Sequence, residues 1–170
     1  AYVVAPLIED SESIDAKSAN AIFDELQDRF DDFNIKLVHG AMKSADKDKI
    51  MQDFASGKVN LLVSTTVIEV GINVPNASVM VIENAERFGL AQLHQLRGRV
   101  GRGSDDAYCF LMCYTDSELA NARMDIMTGS MSGFDIAEED LKLRGPGEIF
   151  GTRQHGLPQL KISDLLRHRD

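Results

Sequence analysis

The sequence predicts an α/β fold: an open parallel sheet with helices on both faces. Short apolar, β-rich runs recur along the first two thirds of the chain, as expected of strands buried on both sides. Between them, apolar residues return every three or four positions, the spacing of amphipathic helices, so strands and helices alternate as in crossover units. The 170 residues, 44% hydrophobic and 26% charged, suit one compact domain with an appendage. That composition excludes a disordered or collagen-like chain.

Residues 2–8 (Tyr-Val-Val-Ala-Pro-Leu-Ile) form the first strand, and the chain begins in it without a lead-in, as though in mid-fold. Ala19, Ile22, Phe23, Leu26 and Phe30 then recur at helical spacing. Residues 35–39 are the second strand. Ser44 is the expected N-cap of the next helix, with Asp46 in its first turn, Ile50, Met51 and Phe54 on its buried face, and Gly57 at its end. Strands follow at 61–64 and 79–83, a helix at 90–99 and a strand at 108–113. Beyond residue 115 the strand signal stops: 117–128 and 134–144 read as a helical hairpin, and 145–160, rich in Gly and Pro, as a long loop. The division predicted is an α/β lobe over 1–115 and a hairpin with its loop over 116–170.

Charge is unevenly distributed. The formal net charge is −9, which argues against non-specific DNA binding by the whole surface. Residues 84–103 nevertheless carry 4 basic residues against 1 acidic, and 141–170 carry 6 against 3, while 104–140 hold 1 against 9. Two positive segments flanking an acidic one suggest localised anion sites. No run of 18 apolar residues and no export-type start occurs, so a cytosolic protein without a membrane partner is expected. Cys109 and Cys113 share a strand, where four residues span about 13 Å. That is too far for a disulfide, and no ligand-spaced Cys or His stands beside them, so they read as reduced thiols in or near the core rather than a metal site.

No G-x-x-x-x-G-K-[ST] phosphate cradle occurs and no acidic box to hold magnesium, so the chain alone is not expected to hydrolyse ATP. What does occur is Gln92-Leu-His-Gln95-Leu-Arg-Gly-Arg99-Val-Gly-Arg102-Gly. On a helix, Arg99 and Arg102 project from one face, while Gly98 and Gly101 allow another surface to approach the backbone closely. Paired guanidiniums can hold a transferring phosphate and stabilise its developing charge. The alternative is a basic helix face paired with the acidic 104–140 segment, but exposed pairs contribute little and do not call for helix-weakening glycines.

The Gln95-x-x-Gly98-Arg99-x-Gly101-Arg102 stretch resembles motif VI of the superfamily 2 helicases. Val63-Ser-Thr-Thr-Val-Ile-Glu69-Val-Gly71-Ile-Asn-Val-Pro75 resembles their motif V, and His39-Gly40 the region of motif IV. Residues 82–99 and 140–154, with the ending from Gly156, are similar more closely to the RecG family of branch-migrating DNA helicases, whose near relative is the transcription-repair coupling translocase. This resemblance implies a RecA-like lobe, the second of two, without its own Walker A. It implies ATP and Mg2+ bound mainly by a first RecA-like lobe, duplex or branched DNA as partner, an N-terminal wedge domain, a monomer, and a bacterial, nucleoid-associated location. Fork remodelling in recombination and repair is the activity implied. The alternatives are the coupling translocase, with RNA polymerase as partner, and a non-enzymatic RecA-like binding module.

By the same resemblance Arg99 and Arg102 reach a γ-phosphate across the cleft, oriented by Gln95. Gly71 gives backbone freedom beside the nucleotide. Asn73 stands where the family carries aspartate, keeping one acceptor for ribose but not the charge. Ser64, Thr65 and Thr66 read as hydroxyls suited to DNA phosphates at a strand's carboxyl end, or as ordinary turn caps; both readings stand. Arg123 shares the apolar stripe of its helix with Leu119, Ile126 and Met127, and a guanidinium turned inwards requires partners. The resemblance places Arg123, Arg144 and Gln154 in a network between hairpin and loop, the translocation motif, with Arg153 facing DNA. The bottom-up alternative is a hairpin that caps the sheet with snorkelling arginines.

Overall fold

The computed structural model describes residues 1–6, 12–65, 77–101, 106–130 and 132–144. Five parallel strands, β1 (Tyr2–Ala5), β2 (Ile35–Val38), β3 (Leu61–Thr65), β4 (Val79–Ile82) and β5 (Tyr108–Leu111), form one sheet in the order β2-β3-β1-β4-β5. The helices are α1 (Glu12–Arg29), α2 (Ser44–Ala55), α3 (Leu90–Arg97), α4 (Glu118–Gly129) and α5 (Gly133–Arg144), with a short 3-10 turn at Ala85–Arg87. This is the open, helix-flanked parallel sheet expected. Among the described residues no helix is long and apolar enough to cross a membrane.

Successive side chains of a strand point to opposite faces. Val3, Ile35 and Val63 therefore share one face, where Ile22, Phe23 and Leu26 of α1 cover them. The other face carries two clusters. Val38 and Leu62 meet Met51 and Phe54 of α2, and Val4, Met80 and Ile82 meet Leu90 and Leu93 of α3, Met127 of α4 and Ile136 of α5. The hairpin thus shares its core with the sheet. Each fully buried Leu contributes roughly 1.5–3 kcal/mol through removal from water.

Several boundaries differ from expectation for identifiable reasons. Lys43, not Ser44, is the N-cap of α2; it is extended and makes no side-chain cap bond, and Ser44 is already helical. Gly57 does follow the end of that helix, at φ +79°. β3 continues through Thr65, so Ser64 and Thr65 lie inside the strand rather than after it. β5 ends at Leu111, leaving Cys113 outside. Phe30 lies beyond α1 and is exposed, packed edge-on against Phe33 at 5.7 Å. On α4 the buried residues are Ala120 and Met127, whereas Leu119 is 48% exposed, so the stripe is rotated from the one predicted. Leu7, Ile8 and the loop from 145 lie outside the described residues.

Candidate functional site

In an open parallel sheet, ligands bind at the carboxyl ends of the strands. At that edge β2 and β3 run in register, Val38 opposite Ser64, so His39 and Thr65 follow side by side. His39 Nδ1 and Thr65 Oγ1 are both buried without a hydrogen-bond partner. Orphaned buried polar atoms are uncommon, and Thr65, 1% exposed, keeps its hydroxyl closed to solvent. Ser64 is different. Fully buried, it donates its hydroxyl to Tyr2 Oη at 2.9 Å, which stitches β3 to β1. Burial raises the Tyr2 pKa above its ordinary value, partly offset by the Ser64 hydrogen bond and by the positive charge of Arg99.

The Arg99 backbone position follows from how α3 ends. The helix expected over 90–99 ends at Arg97: Gly98 closes it through its N–H to His94 O at 3.1 Å. Arg99 sits in the turn that follows, its N–H on Leu96 O at 2.9 Å. Gly101 is at φ +77°, and a side chain there would meet Ala107 Cβ at 2.8 Å. Arg99 therefore does not stand on a helix face as the i, i+3 reading required, and Arg102 lies outside the described residues. Arg99 is half-buried, forms no ion pair among the described residues, and its positive charge is felt at the Tyr2 hydroxyl.

Gln95 is exposed on α3 and lines a cavity of about 210 Å³ between α3 and α5, with His94, Gly133, Ile136, Ala137 and Asp140. It makes no described contact with Arg99. Arg97, which sequence reasoning passed over, is the arginine with a fixed task. Its Nη1 donates to Met127 O at 2.6 Å and Ser130 O at 2.8 Å, tethering the end of α3 to carbonyls at the end of α4, where positive charge also complements the helix dipole. Its partners lie thirty or more residues away, so no local pattern signals it. Arg123 points inward as expected, with Nη1 3.5 Å from Glu86 O and Nε buried without a partner. Cys109 and Cys113 are free and half-buried, and burial pushes the Cys109 thiol pKa up despite the nearby Arg97 charge. No group of three potential metal ligands occurs among the described residues.

Thr66, Gly71, Asn73, Arg102, Arg153, Gln154 and the side chain of Arg144 lie outside the described residues. The structure therefore brings together Arg99, Tyr2 and Ser64, with Thr65 and His39 at the same sheet edge, and keeps Gln95 and Arg123 on the side of the hairpin.

Comparison with known proteins gives the following. The family "Helicase conserved C-terminal domain" matches residues 6–104, and "ATP-dependent DNA helicase RecG, domain 3, C-terminal" matches 130–170. The chain is 56% identical to the ATP-dependent DNA helicase RecG of Streptococcus pneumoniae over 97% of its own length and 25% of that protein's. It is 55% identical to that of Thermotoga maritima, over 98% and 22%. It thus spans about a quarter of the length of these relatives. A solved structure of RecG bound to a three-way DNA junction superposes with a TM-score of 0.71 at 52% identity, covering 87% of this chain and 19% of that one. The C-terminal domain of the DEAD-box protein Dbp5, at 18% identity and TM-score 0.58, covers 84% of this chain and 81% of that one, and shares the fold.

Proposed function

The chain belongs to the helicase conserved C-terminal domain family, and on that premise we propose that it is the second motor lobe of an ATP-dependent helicase of the RecG type acting on branched DNA. The observation that carries the reading is Arg99, a half-buried cation without an ion-pair partner among the described residues, set just past α3 with its charge felt at the Tyr2 hydroxyl that Ser64 of β3 bonds. An unpaired guanidinium in a partly desolvated position suits the charge of a polyphosphate.

On this reading ATP with Mg2+ is held mainly by a first lobe and supplies the phosphoryl bond whose cleavage drives motion. Arg99, with Arg102, binds the terminal phosphate oxygens when the lobes close, so hydrolysis is confined to the closed state. Gly71 and Asn73 contact the nucleotide. Thr66, with Thr65 beside it at the strand end, takes a DNA phosphate, while the Ser64 hydroxyl stays with Tyr2 and positions the strand end. Arg123, Arg144 and Gln154 link hairpin and loop, and Arg153 faces DNA. Residues 1–115 and 116–170 divide the motor lobe from the hairpin and loop that relay its movement.

In the full-length protein, Arg99→Ala should lower DNA-stimulated ATP hydrolysis by about 10³-fold or more, the range of arginine fingers, while DNA binding measured by fluorescence anisotropy is retained. Hydrolysis at the wild-type rate in that variant refutes the assignment.

A further inference from the structure

Among the described residues, the face of the sheet carrying Val3 and Val63 is covered only in part. A helix with its side chains is about 10 Å wide and strands lie about 4.8 Å apart, so one helix covers two or three strands. α1 does this over β1, β2 and β3. α2, α3, α4 and α5 pack on the opposite face. Val81 of β4 also packs against the cluster under α1; beyond it, among the described residues, lies the β5 side of the face, where Tyr108 and Phe110 stand in register with Val79 and Val81. Tyr108, Phe110 and Met112 are 56%, 51% and 38% exposed, and the two rings stack at 6.4 Å. Three half-exposed side chains of this size leave on the order of 300 Å² of apolar surface, as large as the interaction patches of soluble proteins.

The rim of this stripe is acidic. Asp106 is exposed immediately before β5. At the other end Tyr114 donates its hydroxyl to Glu83 at 2.8 Å and its amide to Glu86 at 3.4 Å, with Glu25 of α1 within electrostatic reach. Asp24 and Asp28 line the exposed flank of α1, and Arg29 there is paired with Glu25 at 3.6 Å. Such a rim repels nucleic acid and anionic lipid. A second copy, also of net charge −9, would bring more acid against it.

We propose that the open β5 side of the sheet face seats an amphipathic helix whose apolar stripe covers Tyr108, Phe110 and Met112 and whose flanks carry lysine or arginine. The helix is supplied by the longer polypeptide of which this chain is one lobe, so the inference rests on the motor reading above. Burying the stripe removes apolar surface from water, while basic flanks satisfy the acidic rim and set the helix direction.

The test is hydroxyl-radical footprinting by mass spectrometry, without nucleotide or DNA, on the 170-residue chain and on the full-length protein. Tyr108, Phe110 and Met112 should be oxidised at least fivefold more slowly in the full-length protein, with exposed Phe33 as an unchanged reference. The double variant Asp106→Lys, Glu83→Lys should reverse at least half of that protection. Equal oxidation in the two proteins overturns the proposal. So does protection that appears in the 170-residue chain as its concentration rises, which would make a second copy the occupant, or protection indifferent to the charge reversal. A full-length protein with normal DNA-stimulated ATPase and an unprotected stripe sinks the docked helix alone. Protection without any ATPase sinks the motor reading alone.

Discussion

Replacing Gly101 with alanine separates two costs that the structure puts at one residue. The first is conformational: at φ +77° an L-residue is in the left-handed region, which costs about 1–2 kcal/mol. The second is steric, because the new Cβ would stand 2.8 Å from Ala107 Cβ. Both atoms are anchored to backbone, so relief requires the turn to move, and such overpacking costs typically ~1–3 kcal/mol. Gly101→Ala should therefore destabilise the chain by about 2–5 kcal/mol, each kcal/mol lowering Tm by roughly 2–4 °C for a chain of this length. Ala107→Gly removes the facing methyl but leaves φ unchanged. The double variant should recover only the steric share, a favourable coupling of about 1–3 kcal/mol by urea denaturation. A coupling below about 0.5 kcal/mol refutes the contact; a harmless Gly101→Ala refutes the turn geometry itself.

The tether at Arg97 predicts a local effect: Arg97→Gln loses two charge-assisted bonds to carbonyls, worth about 2–3 kcal/mol together after discounting for partial exposure. Amide exchange at the end of α4 should accelerate by roughly 30- to 100-fold, and unchanged exchange there would show the bonds to be idle. Gly133→Ala places a Cβ 2.7 Å from His94 Cε1 and should cost about 1–2 kcal/mol, a loss largely recovered when His94→Ala is added. Tyr2 predicts alkaline sensitivity. Burial raises its pKa above 10.0, so the folded state holds the proton longer than the unfolded one, and its contribution to stability is complete below pH 10.0 and lost as pH climbs past it. Tyr2→Phe should cost about 1 kcal/mol at neutral pH through the lost Ser64 bond, yet flatten the decline between pH 9 and 11 in urea titrations. Tyr114, raised by its hydrogen bond to Glu83, keeps a residual slope.

The sheet was legible because most strand positions are apolar on both sides, exposed Lys36 of β2 being an exception, and such runs leave a nearly continuous signal. The same signal concealed the open face. Tyr108, Phe110 and Met112 are as apolar as Cys109 and Leu111, and only the placement of the helices shows that one set is covered and the other is not. Helical periodicity located α1 and α4 but not their rotation to within one position. Phe30 and Leu119 fall on the predicted stripes yet are exposed, because the core stops before the stripe does.

The site was legible as composition and not as geometry. Glycine beside arginine marks a place where backbone must turn or approach something closely, but spacing alone cannot tell a helix face from a turn that has just left the helix. The distinction changes the chemistry. On a continuing helix, Gln95 and Arg99 would share a face and act on one ligand. With the helix closed at Gly98, Gln95 lines the α3–α5 cavity while the Arg99 charge is felt at the Tyr2 hydroxyl. Arg97, one residue before the break, takes the hairpin carbonyls. Two arginines two positions apart thereby have different surroundings: Arg97 holds backbone carbonyls, and Arg99 has no ion-pair partner among the described residues. Which is which depends on contacts thirty residues away, and a single sequence carries no local trace of them.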